Sequence, residues 1–208
     1  MERMVLMLLN DADIRVALKQ YLSLQFKNTN TIIIDELPIS FGDSRIDIAV
    51  VNSSLHGYEI KSDRDNLDRL PKQVKYYSQV FDTVTLVCSQ KLLDKAKKII
   101  PYWWGICVPT IIHRSGEPTV TFKIKKHPRL NKSVDVRKVV ELTWKSEALN
   151  ILETHGLTHG FKSKPRWAIW DYMVNTIDET ELKNDVRNAL KERKGWRTPA
   201  TLKKLYVD

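Results

Sequence analysis

The stretch Arg45–Lys61, RIDIAVVNSSLHGYEIK, constrains this chain more than any other segment. Two apolar runs flank a polar Asn-Ser-Ser, so the segment reads as a hairpin turning over Asn52 to Gly57. Side chains alternate across a strand, which puts Ile46, Ile48 and Val50 on one face and Arg45, Asp47 and Ala49 on the other. On the second strand Glu59 and Lys61 share a face, opposite Tyr58 and Ile60. Pairing through the turn would bring two acids and a lysine together on an otherwise apolar sheet.

That set of residues suits phosphodiester hydrolysis. A hard divalent cation takes carboxylate and carbonyl oxygens and keeps positions open for phosphate and water, and Asp47, Glu59 and the peptide carbonyl of Ile60 supply such ligands. Lys61 would sit beside the attacking water or the scissile phosphate, offsetting the charge that builds there. The plainer alternative is a solvent-facing edge hairpin with a cross-strand ion pair.

The flanking segments extend the pattern. Asn10 or Asp11 can cap a helix to about Phe26, with Ile14, Ala17, Leu18, Tyr21, Leu22 and Leu24 as its apolar stripe. TIIIDELPI reads as a strand, with the acid Glu36 towards its end. Pro71 suits the first turn of a helix running to about Phe81, on which Gln73 and Tyr77 share a face four residues apart. The amide could orient Lys61 or a water, and the phenol could bind phosphate or be a core aromatic with its hydroxyl satisfied. TVTLVC is apolar throughout, as expected of a strand covered on both faces.

Together RIDIAVV, GYEIKSD, the Gln73-x-x-x-Tyr77 helix and TVTLVC resemble the PD-(D/E)XK nuclease superfamily, including the QxxxY element of its RecB-like branch, over about Asp11 to Cys88. The resemblance implies an α/β fold with a restriction-endonuclease-like αβββαβ core, its mixed central sheet flanked by helices. It also implies a Mg2+-dependent site in which Mn2+ can substitute, and a DNA substrate. Asp47, Glu59 and Lys61 match the three signature positions, and Glu36 stands where several members place an extra acidic ligand. One position departs from the pattern: isoleucine, not proline, precedes Asp47.

Composition narrows the partners. The 208 residues are 42% hydrophobic and 28% charged, ordinary for a folded soluble protein. Net charge is +9, and its distribution is uneven: residues 1–112 hold 14 Lys+Arg against 13 Asp+Glu, and residues 113–208 hold 20 against 12. A near-neutral half joined to a basic half suits a polyanion. Lys123 and Lys125 on an alternating strand, and Lys162, Lys164 and Arg166 before an aromatic-rich helix, are the candidate phosphate contacts. The run VLMLL is too short to cross a bilayer and lacks a cleavage site, so a cytoplasmic protein without a membrane partner is expected. Cys88 and Cys107 match no metal spacing and read as buried thiols.

Farther along, a helix is expected from Lys91 to Ile100, an edge strand around Pro109, and a boundary at Asn131–Ser133. That divides the chain into a nuclease-like domain, 1–130, and a basic helical C-terminal subdomain, 131–208, opening with a helix from Val134 to about Glu153. His155 and His159 read as loop residues around Gly156. The sequence therefore points to a metal-dependent DNA nuclease, a homodimer if both strands of a duplex are cut together. The alternatives are a catalytically silent nucleic-acid-binding or assembly module and an RNA-processing nuclease.

Overall fold

In the computed structural model, which describes residues 9–114 and 117–196, Asn10 caps α1 (Asp11–Gln25) by accepting the Asp13 N–H at 2.9 Å. There follow β1 (Ile32–Ile39), β2 (Ser44–Val51), β3 (Leu55–Lys61), α2 (Leu70–Val80) and β4 (Thr83–Cys88). Next come α3 (Leu93–Lys97), β5 (Gly105–Arg114), β6 (Glu117–Lys126) and four helices, α4 (Val136–Val140), α5 (Lys145–Thr154), α6 (Arg166–Thr176) and α7 (Glu179–Glu192). The six strands form one mixed sheet in sequential order. β1–β2, β2–β3 and β5–β6 are antiparallel, and β3–β4 and β4–β5 are parallel.

Helices cover both faces. On one, Ile14, Leu18 and Leu22, spaced four apart along α1, pack on Ile48, Val50, Ile60 and Val87. Burying three such side chains contributes on the order of 5–9 kcal/mol before chain entropy is charged. On the other face, Ile34, Leu37, Ile46, Ala49 and Leu86 meet α2 and the C-terminal helices in one continuous cluster that reaches Trp170, Val186 and Leu190. The residues after 131 thus share the sheet's core instead of building a second one. β4 is apolar because Val87 faces α1 while Leu86 and Cys88 face α2.

Several local expectations need correction. The hairpin turn is confined to Asn52–Ser54, and Gly57 lies inside β3, where a Cβ would meet Ile46 and Phe81 at 3.2 Å. The alternation in β2 breaks at Asp47: Ile46 joins Ala49 and Val51 on the α2 side, whereas Ile48 and Val50 lie under α1. Leu24 falls off the helical stripe and is exposed. The Lys91–Ile100 helix shortens to Leu93–Lys97, and the Val134–Glu153 helix divides into α4 and α5 around Glu141–Trp144. β5 is an interior strand, but its ladder with β4 ends at Cys107, so Pro109 sits where the missing N–H has no β4 partner to serve.

Candidate active site

The site is made by a fork in the sheet. β2 and β3 pair from Val51–Leu55 to Ile48–Tyr58 and then part, while β3 stays paired with β4 as far as Lys61–Cys88. Beyond the fork the Ile60 N–H has no β2 carbonyl, and Asp47 Oδ2 accepts it at 2.7 Å. A cleft of about 610 Å³ opens there, lined by Glu36, Asp47, Glu59, Ile60, Lys61 and Gln73 among others. The two acids and the lysine read from the sequence therefore meet at one opening.

Glu59 is the most enclosed of them, at 2% exposure. Its Oε1 accepts from Lys61 Nζ and, at 2.5 Å, from Gln73 Nε2, and its Oε2 lies 2.8 Å from the Tyr77 hydroxyl. Burial pushes the Glu59 carboxyl up to about 7, helped by the charge of Asp47 and opposed by Lys61. Gln73 and Tyr77, one turn apart on α2, thus grip the two oxygens of one carboxylate. Tyr77 is fully buried, and its hydroxyl also lies 2.7 Å from the Arg45 carbonyl. That enclosure makes it an anchor for Glu59 and corrects the idea of a phosphate-binding phenol. Its own pKa is driven upward, first by burial and then by Glu59.

Two buried groups at the site keep unused capacity. Gln73 Oε1 has no hydrogen-bond partner among the described residues. The Lys61 ammonium, 4% exposed, makes one hydrogen bond there, to Glu59, although it carries three donors.

Asp47 faces the other helix. Arg15 on α1 donates to its Oδ1 at 2.7 Å and to its backbone carbonyl at 2.9 Å, and also binds Asp11 at 3.1 Å. Burial alone would lower the Arg15 pKa, but Asp47 and Asp11 outweigh it and raise it. Arg15 is the residue that sequence reading missed. The available signal is the Asp11–Arg15 spacing of four on one helix face, whereas from the sequence Asp11 reads only as a candidate helix cap. Glu36 also differs from expectation. It lies within β1, across from Asp47 between the Asp35–Ile48 and Leu37–Ile46 pairs, with φ at 53° and its carboxylate 3.5 Å from Arg45. A glutamate held left-handed is strained, and the reversal places Ile34 and Leu37 on the same face. Among the described residues no three His, Cys, Asp or Glu side chains form a group able to hold a metal.

A family model described as bacteriophage P4 protein cII matches residues 4–205, which spans the sheet and the C-terminal helices alike. The chain belongs to the bacteriophage P4 protein cII family. It is 26% identical to Protein cII of Enterobacteria phage P4 over 186 residues, covering 89% of this chain and 68% of that protein. No solved structure matches it. In this cII family member the candidate phosphate contacts stand apart from the cleft. Lys123 and Lys125 are exposed on the edge strand β6, and Lys162, Lys164 and Arg166 are exposed around the start of α6. The aromatic residues after Arg166 divide: Trp170 is buried, while Trp167 is 61% exposed. His155 bonds Asp185 at 2.8 Å at the end of α5. No helix among the described residues is long and apolar enough to cross a membrane. The first four residues of VLMLL, and residues 197–208 of the C-terminal half, lie outside the described residues.

Proposed function

We propose that this protein is a divalent-metal-dependent nuclease of the PD-(D/E)XK type, hydrolysing DNA phosphodiester bonds at the forked end of its sheet. The observation that carries the reading is the meeting of Asp47, Glu59 and Lys61 in one cleft, with Glu59 fixed by Gln73 and Tyr77. The order α1-β1-β2-β3-α2-β4 supports a restriction-endonuclease-like core.

The donor set fits Mg2+, with Mn2+ as a substitute. Each Asp47 oxygen has one protein partner and so retains a lone pair, and Asp47 is partly open to the cleft. Ile60 directs its N–H to Asp47, and a strand residue's carbonyl points to the same edge as its N–H, into the fork. Magnesium sites commonly use one or two carboxylates and complete the shell with water and substrate oxygens, so a third clustered acid is not required. Glu36, on the cleft wall, is the candidate further ligand. The cation would lower the pKa of a bound water and neutralise phosphate charge. Lys61 supplies positive charge from a dry position, where it acts more strongly than in water. Gln73, whose Nε2 donates to Glu59 Oε1 at 2.5 Å, would hold that carboxylate in a fixed orientation at the site.

A second reading has an observation of its own. The Arg15–Asp47 ion pair already neutralises one acid, which suits a nucleic-acid-binding module that keeps the site without turnover. Incubation with linear, circular and single-stranded DNA in Mg2+, Mn2+ or EDTA separates the two. Cleavage that EDTA and Asp47→Asn both abolish supports the nuclease, and binding without cleavage in every condition supports the module. Neither binding nor cleavage refutes both.

A further inference from the structure

Between β1 and β2 the chain makes a tight turn, Ser40–Gly42, in which three successive residues are left-handed, with φ of 49°, 59° and 95°. Glycine adopts this conformation freely, whereas serine resists it and a bulky phenylalanine is an outlier. The strained turn does not bury its phenyl ring. Phe41 is 74% exposed, touching Trp170 at 5.8 Å between ring centroids, and the Arg166 guanidinium lies 5.6 Å from the Phe41 ring and 4.7 Å from that of Trp170. Trp170 is itself 1% exposed and serves as the floor. The next residue, Gly42, is already part of the cleft wall. A strained backbone thus holds a free aromatic ring beside an arginine, one residue along the chain from the cleft wall.

We infer that Phe41 and Arg166 form a stacking platform for an unpaired nucleobase, and that the substrate entering this cleft is single-stranded DNA or the unpaired tract of a branched DNA. The inference rests on the nuclease reading and narrows its substrate. Every base has a π-face that an aromatic ring or a guanidinium plane can cover, and such contacts carry no sequence requirement. Bases inside a duplex present only their edges, so a ring standing on a surface turn cannot stack on them. The charge is complementary as well, since Lys162 and Lys164 are exposed just before Arg166 and suit the phosphates of the same strand.

The test measures binding in EDTA, where no cleavage occurs, by fluorescence anisotropy with oligothymidylate and with a duplex of equal length. Phe41→Gly should weaken single-strand affinity by about fivefold or more, the range for losing one aromatic–base stack. Duplex affinity should be unchanged, and Phe41→Trp should retain single-strand binding. Where wild type binds single strands alone, an unfolding temperature that does not fall replaces the duplex control, since glycine relieves the left-handed strain at this position. Single-strand affinity unchanged in Phe41→Gly, or lost in parallel with duplex affinity, overturns the platform. If wild type binds and cuts DNA while Phe41→Gly behaves identically, the platform alone falls. If wild type binds neither nucleic acid, the nuclease reading falls with it, and the exposed ring belongs to a protein contact.

Discussion

Glu59 offers the sharpest perturbation, because its environment stores a proton. The carboxyl has an ordinary value of 4.5 and is pushed up to about 7, mainly by burial. At 1.36 kcal/mol per unit the shift corresponds to about 3 kcal/mol. Between these two values the folded protein keeps a proton that the unfolded chain has released. The resulting stabilisation, measured against an ionised Glu59, is full below about pH 4.5 and is lost as the pH rises through about 7. Glu59→Gln holds the site permanently in the neutral form: its carbonyl can accept from Lys61 and Gln73 while its amide donates to the Tyr77 hydroxyl. Urea unfolding of both proteins, free of metal, from about pH 4.5 to about pH 8 isolates the effect, since the remaining carboxylates are common to both. The stability of wild type relative to Glu59→Gln should fall by about 3 kcal/mol across that range. A flat or rising difference would refute the reasoning. Added Mg2+ should recover stability above pH 7 in wild type alone, because a cation then replaces the proton.

Three further outcomes are expected. On the proposed nuclease reading, in which the ammonium would act on phosphate and water, Lys61→Ala should abolish cleavage while Mn2+ affinity by calorimetry stays near wild type; wild-type turnover would sink the site assignment. Gly57→Ala should destabilise by about 1–3 kcal/mol in thermal unfolding, because its Cβ would stand 3.2 Å from Ile46 and Phe81 in a packed core, and an unchanged unfolding temperature would contradict that packing. Neutralising Lys162, Lys164 and Arg166 together should reduce the steepness of the dependence of DNA affinity on salt by about 3 units, one for each released counterion, and an unaltered slope would assign them to solvated surface.

Much of the fold was legible because its signals are short-range. The cap at Asn10, the spacing of Ile14, Leu18 and Leu22, the apolar β4 and the start of the hairpin turn at Asn52 depend on neighbours within a few residues. Glu59, Lys61, Gln73 and Tyr77 were legible for the same reason, since strand and helix periods alone put each pair on a common face. The errors have a different origin. A strict alternation assigns Ile46 and Ile48 to one face, but Glu36 and Asp47, opposite one another, both interrupt it. The single long helix expected after Val134 was drawn from apolar periodicity that continues across the break at Glu141–Trp144.

The sequence by itself determined the types and order of most elements and the residue types of the candidate site, because these follow from backbone periods and side-chain chemistry. The tertiary structure decided where β2 and β3 part, which carboxylate is dry and which is paired, and that the C-terminal helices complete the sheet's core. Those depend on segments far apart in the chain. Arg15 meets Asp47 across 32 residues and Gln73 meets Glu59 across 14, while Phe41, far from α6 in sequence, is seated beside Arg166. Local patterns set what each residue can do, and only the packed sheet, by choosing which peptide groups lose their ladder partners and which charges lose their water, turns that capacity into a site.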